Sequence, residues 1–428
     1  MLDLLGRLVD KSLVIAETQA EAPRYRMLET IREFAREQLD ASGEVMAIRE
    51  RQRDWCLALV EAPAPAWGGA AQVEWAERLE REHDNLRDAL AFCAATGPAG
   101  VVSWLRLGAA LAPFWHARGH IVEGFNWLER ALTAGPAASA AVRAPALAQA
   151  GRLAYIRGDF ARGAAWLEEA LALYRAEGNA AGIAWTLSAL AALLELRGER
   201  TRVADLLGES LARYREIDDQ WGVADTLNKL AFTAFFGGDV ALASALCAEA
   251  LPLYRAHADH EGLAATLLTL ARAAMLQRDF PRAEGLYIEA LALSRAAAEK
   301  KSLPNVLVEA GMLQARLGHH ARAAAYQRES LALNRARGSY YGIYSALGAL
   351  GSTLIGLGQP EQATRLVAAG ERLREAIGAT RPAAYAPLHE RLLATLRRQL
   401  GEYEFATLWA EGEALPLERA IAEALDEA

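Results

Sequence analysis

Through the middle of the chain the apolar residues fall on a helical period, and that period itself recurs. Leu187, Leu190, Ala191 and Leu194 stand at i, i+3, i+4 and i+7, one stripe of an α-helix. The set returns 40 residues on as Leu227, Leu230, Ala231 and Ala234, and again as Leu267, Leu270, Ala271 and Ala274. Leu307, Ala310 and Gly311 follow, then Leu347, Leu350, Gly351 and Leu354. The third position is always Ala or Gly, which predicts a second helix crossing there too closely for a larger side chain. Downstream, Ala243, Ala250 and Leu251 recur as Ala283, Ala290, Leu291 and as Ala323, Ser330, Leu331, so small residues line one face of that second helix.

Three further combs share the 40-residue spacing. Turns fall at Gly158, Gly198, Gly238, Arg278, Gly318 and Gly358, with a looser copy at Gly119. Arg175, Arg215, Arg255, Arg295 and Arg335 form the second comb. Gly182, Gly222, Gly262 and Gly342 form the third, with Ser302 filling its gap. The pattern resembles the tetratricopeptide repeat: an apolar first helix, a Gly-Asp type turn, then Ala…Ala-Leu in the second. That repeat is usually about 34 residues, so the second helix and its exit are expected to carry six more here. HEAT repeats are about as long as the period seen here but lack this Gly turn. The resemblance spans about residues 101–377, two thirds of the chain, and implies an all-α, right-handed tetratricopeptide-like α-solenoid superhelix of about seven helix pairs.

In such arrays the first helices line a concave groove. Carried over position by position, the resemblance puts Tyr155, Trp185, Asp225, Asn228, Phe232, Phe235, Arg272, Met275, Asn305, Met312 and Arg316 on it. Phe232 and Phe235, flanked by Asn228 and Arg272, make an amphipathic patch suited to a peptide or a small organic ligand. Two accounts stand side by side: the aromatics are a ligand wall, or they fill the inside of a tight superhelix.

The two ends do not repeat. DLLGRLVDKSLVIAET reads as a helix running into a strand at Leu13 to Ala16; Pro23 breaks the chain; RYRML offers a second strand; an amphipathic helix then ends at Gly43. The wording LVDKSLV…RYRMLETIREFAREQL…GE resembles the winged-helix tail of bacterial STAND ATPases, the signal-transduction NTPases that include LuxR/MalT-like regulators. EWAERLEREHDNLRDALAFCAATG resembles the junction helix of that family, and GEYEFATLWAEGEALPLERAIAEAL its closing segment. The expected division is 1–43 partial winged helix, 44–100 helical junction, 101–377 repeats and 378–428 C-terminal helical cap. No GxxxxGK[ST] is present, so the ATPase activity of the family is not carried over. A C-terminal helix-turn-helix is likewise missing from ALDEA back, and the expectation is a sensor half whose partner is a P-loop ATPase module of a longer protein.

Composition narrows the chemistry. Of 428 residues, 46 are Lys or Arg and 54 Asp or Glu, a net charge of −8 that gives no general pull toward nucleic acid or anionic membrane. The first 60 residues hold nine basic and eleven acidic groups, a net of −2, which argues against direct DNA binding by the winged-helix segment. Cys56, Cys93 and Cys247 are too scattered for a disulfide framework, and Cys247 falls on a packing face. Charges at Asp3, Arg7, Asp10 and Lys11 interrupt any signal-peptide core, and no run of 18 uncharged apolar residues occurs, so a cytoplasmic location is expected. His257 with His260, and His319 with His320, lack companions at metal spacing and read as solvated turn and helix-end residues; no metal, cofactor or catalytic set is expected. The function expected is a non-catalytic sensor or scaffold binding a protein, a peptide or a small-molecule inducer in the groove. The alternative is a free-standing adaptor without a nucleotide switch.

Overall fold

The computed structural model describes residues 2–19, 22–62, 70–195, 199–297, 300–379, 381 and 386–427; Gly198 of the turn comb lies outside them. The chain opens with α1 (Leu2–Asp10), the strands β1 (Ile15–Gln19) and β2 (Ala22–Arg26), and α2 (Glu29–Ser42). The strands pair antiparallel, Ile15 opposite Arg26 and Thr18 opposite Pro23. Both strands therefore lie later and earlier, respectively, than expected, and Pro23 sits inside β2 instead of breaking the chain. A two-stranded ribbon has two free edges, which is where a residue without an N–H is tolerated.

Three helices follow: α3 (Val45–Glu61), α4 (Ala70–Arg81) and α5 (His83–Ala95). The single junction helix read from residue 74 to 97 is thus two helices with a break at Glu82. The break allows Leu79 on one half and Leu86 and Leu90 on the other all to be buried.

Seven helix pairs come next: α6 (Val101–Arg118) with α7 (Ile121–Ala134), α8 (Ala140–Arg157) with α9 (Phe160–Glu177), and α10 (Ala180–Glu195) with α11 (Arg200–Glu216). They continue through α12 (Gln220–Phe236) and α13 (Val240–Ala256), α14 (His260–Leu276) and α15 (Phe280–Ala296), α16 (Leu303–Arg316) and α17 (His320–Ala336), and α18 (Tyr340–Gly356) and α19 (Pro360–Ala376). The end is α20 (Ala386–Leu400), α21 (Glu402–Ala414) and α22 (Leu417–Ala424). Helices α12 and α13 have 17 residues each. The extra length over a 34-residue unit is therefore shared by both helices, not carried by the second alone.

The combs acquire physical causes. The turn position needs a left-handed backbone: φ is 92° at Gly238 and still 61° where Arg278 replaces the glycine. The next residue caps the second helix, as Asp239 does by accepting from the Leu242 N–H at 2.9 Å. At the third comb the constraint is space: a Cβ on Gly262 would stand 2.1 Å from Cε1 of Tyr254, and one on Gly222 2.3 Å from Cδ1 of Tyr214. Where Ser302 stands in place of Gly, Ser294 stands in place of the Tyr, and the two hydroxyls hydrogen-bond at 2.8 Å. The Arg comb is an outer ladder: Arg175 reaches Glu209, Arg215 reaches Glu249 and Arg295 reaches Glu329, each on the second helix of the next pair. The fold is an all-α solenoid. Among the described residues no helix is long and apolar enough to cross a membrane.

Candidate functional site

The first helices of six successive pairs, α6 to α16, together with α11 and α13, line an open cavity of about 760 Å³. Pro113 on α6 and Asn305 on α16 both line it, so the array has curled far enough for its early and late repeats to face one another. The electrostatics agree. His116 on α6 is pushed down to about 3, first by burial and then by the positive charges of Arg152 on α8 and Lys301 just before α16. The phenol of Tyr341 on α18 is raised by burial first, then by Tyr344 and Tyr155, while Arg272 opposes.

Of the residues expected on the groove, Trp185, Asp225, Asn228, Phe232, Arg272 and Asn305 line this cavity. Tyr155 stacks on Phe160 with ring centroids 6.2 Å apart and faces the interior nearer Tyr341. Met275 and Met312 pack against neighbouring apolar clusters, and Arg316 is exposed on the last turn of α16. None of these four lines the cavity. Phe235 is the misplaced one. It is 4% exposed and buried with Phe236 and Ala243 between the helices of its pair. On a helix the partner of Phe232 is four residues on: the rings of Phe232 and Phe236 lie 4.5 Å apart, and the Arg272 guanidinium sits 5.7 and 5.6 Å from them.

The cavity wall is a set of paired charges with gaps between them. Lys229 donates to Asp225 at 2.6 Å and to the Ser188 hydroxyl at 2.7 Å. Trp221 donates its indole N–H to Asp259 at 2.8 Å, and Asp259 also accepts the N–H of Gly262, capping α14. Thr233 donates to Glu195 at 2.9 Å, and Arg272 donates to Glu309 at 3.1 Å. Two acceptors on the wall, Gln149 Oε1 and Glu261 Oε1, are buried with no hydrogen-bond partner. Buried polar atoms are ordinarily paired, and among the described residues these two have acceptor capacity to spare. A second cavity of about 490 Å³, toward α3, shares Gln149 and Trp185. Lys229, Trp221 and Gln149 were absent from the sequence expectation. The i, i+4 spacing of Asp225 and Lys229 was the available signal for the first; nothing local marks Gln149.

Elsewhere the thiols are inert. Burial pushes Cys56 and Cys247 up to about 12 and Cys93 to about 11. His257 and His260 are exposed, but His320 is not simply solvated: its Nδ1 is buried without a partner, and a Cβ on Gly356 would fall 2.3 Å from its ring.

Residues 222–296 match the tetratricopeptide repeat family. The chain carries tetratricopeptide repeats. Two mycobacterial proteins described as HTH-type transcriptional regulators, one of Mycobacterium tuberculosis and one of Mycobacterium bovis, are 37% identical to it over 198 residues. That match takes in 44% of this chain and 22% of each relative, so the chain spans about a fifth of their length. Among solved structures, a STAND protein with a tetratricopeptide repeat sensor from Pyrococcus horikoshii superposes with a TM-score of 0.55 at 16% identity, over 99% of this chain and 60% of its own. A Rap protein complexed with competence and sporulation factor gives 0.56 at 13% identity, over 89% and 99%. The apo quorum sensor NprR of B. thuringiensis gives 0.54 at 13%, over 81% and 92%. At such identities these likenesses show the fold.

Proposed function

We propose that the chain is the non-catalytic, ligand- or protein-binding sensor region of a STAND-type signalling protein acting as a transcriptional regulator. The observation that carries this reading is the 760 Å³ cavity, lined by six successive first helices with α11 and α13 and holding buried acceptors without a hydrogen-bond partner among the described residues. Its size suits a small organic ligand or a few residues of peptide. The carboxamides of Asn228 and Asn305 offer the donor and acceptor pair that a peptide group complements. An occupant there touches repeats far apart along the array, from Pro113 on α6 to Asn305 on α16. It therefore favours one curvature of the array, which is how occupancy would be relayed.

The second reading, a free-standing adaptor, is less well supported. The identity to HTH-type regulators favours the sensor, and so does the apolar surface left open near the start of the chain at Phe34, Met46 and Trp55, where a neighbouring module would dock.

The test is a melting screen with a metabolite set and a fluorescence-polarisation screen with short labelled peptides, followed by Phe232→Ala with Asn305→Ala. Arg272→Ala is a poorer probe because its ion pair with Glu309 is only 11% and 12% exposed, and removing one partner strands the other. The double variant should keep its far-UV circular dichroism and lose at least about tenfold in affinity for whatever the parent binds. Unchanged affinity would remove the cavity from the binding reaction. A bound state with the same radius of gyration by small-angle scattering would favour the adaptor.

A further inference from the structure

We infer that Glu80, His83 and His120 form a binding site for a zinc-class divalent cation, clamping the helices before the repeats to the first repeat pair. Glu80 lies in the last turn of α4, His83 opens α5, and His120 precedes α7. Each offers a ligand atom, and the three atoms lie within 4.8 Å of one another. His120 Nε2 stands 3.3 Å from Glu80 Oε2. A tetrahedral zinc with bonds of about 2.1 Å separates its ligand atoms by about 3.4 Å, so this edge already has the right length.

The independent sign of a missing group is His83. It is 6% exposed, and its Nε2 is buried without a hydrogen bond. Its ring is held in place by His120, centroids 4.5 Å apart, and by the edge of Phe114 at 5.1 Å, which makes an apolar floor. Glu123 Oε1 lies 3.4 Å from His83 Nε2, and Arg87 grips both oxygens of Glu123 at 2.7 and 2.6 Å. Glu123 faces the same nitrogen that would bind the cation, so it adds a fixed negative charge beside the site. Two imidazoles and one carboxylate suit Zn²⁺ better than Mg²⁺ or Ca²⁺, which take all-oxygen sets. Glu80 and His120 remain partly exposed, which leaves an access path and a fourth position for water. The trio escapes the sequence because the motif is assembled from three separate elements, His83 and His120 standing 37 positions apart.

The test uses the full chain freed of metal by chelator dialysis. Zinc chloride is titrated calorimetrically, and cobalt(II) is followed by the visible absorption of its tetrahedral complex. One equivalent should bind, with a dissociation constant below about 10 µM, and zinc should raise the melting temperature. Glu80→Gln and His120→Gln alter partly exposed side chains and should keep the circular dichroism of the parent while each weakens binding at least tenfold. His257→Ala with His260→Ala should change nothing. Absence of saturable binding, or a loss below tenfold in either ligand variant, overturns the site.

Discussion

The first third of the molecule and its middle are built differently, although both are pairs of helices. From Cys56 to Leu187 the buried apolar residues form one continuous cluster that contains Trp104, Phe114, Trp115 and Phe125. From α10 to α16 the buried residues divide into four smaller clusters, the widest running from Ala184 on α10 to Leu263 on α14 and the narrowest, Phe235, Phe236 and Ala243, confined to one pair. The large aromatics tie the first region into one body, whereas the smaller side chains of the middle leave separate groups of at most five helices. The first region should therefore unfold as a unit and the second as a chain of links.

The largest expected effect tests that difference. Leu105 and Leu227 are both fully buried, one in each region. An aspartate at either position buries an unpaired charge and should cost about 4 kcal/mol or more. By native-state hydrogen exchange, Leu105→Asp should strip protection from α3 to α9 together. Leu227→Asp should strip α10 to α14 first and leave α5 and α18 protected. If both variants lose protection over the same span, the two regions share one cooperativity and the contrast is wrong.

The same difference decides what could be read from sequence. Periodic contacts leave periodic residues, so the seven pairs, the turn glycines and the small residues at the crossings were legible. Half-legible was the groove: helical phase put Trp185, Asn228, Phe232 and Arg272 on one face, and all four line the same cavity. It failed at Phe235, because three residues along a helix turn the side chain toward the packing stripe while Phe236 completes the stack. The metal trio and Gln149 were illegible. Their neighbours come from tertiary closure, which no single window of sequence contains.

A middle-sized effect sharpens the account of the Gly comb. Gly262→Ser pushes a Cβ into the buried ring of Tyr254 and should cost about 1–3 kcal/mol. Tyr254→Ser leaves a cavity and should cost about 3–5 kcal/mol. Together they recreate the Ser294–Ser302 arrangement that the molecule already uses one repeat later. The double variant should then be more stable than the sum of the singles by about 1 kcal/mol or more, measured by urea unfolding. Strict additivity would mean that the ring and the glycine are not a unit.

The smallest effect is expected from the most regular comb. The ladder pairs Arg175–Glu209, Arg215–Glu249 and Arg295–Glu329 are 2.7 to 3.0 Å long, but every side chain in them is at least 36% exposed. Water screens such pairs, and two long side chains lose freedom to form each one, so a single Arg→Met change should cost less than about 1 kcal/mol. Whatever is lost should shrink further in half-molar salt, where the screening length is only a few ångströms. Arg335 is informative, because it leaves the ladder to bridge Glu418 on α22 and Glu427 just past its end. Arg335→Met should loosen α22 in hydrogen exchange, while Arg215→Met should alter no protection pattern. A cost above about 1.5 kcal/mol for Arg215→Met would place as much energy on the outer face as the crossings hold inside. Short of that, the ladder recurs because second helices recur at one spacing, and regularity in the sequence measures repeated geometry, not stored energy.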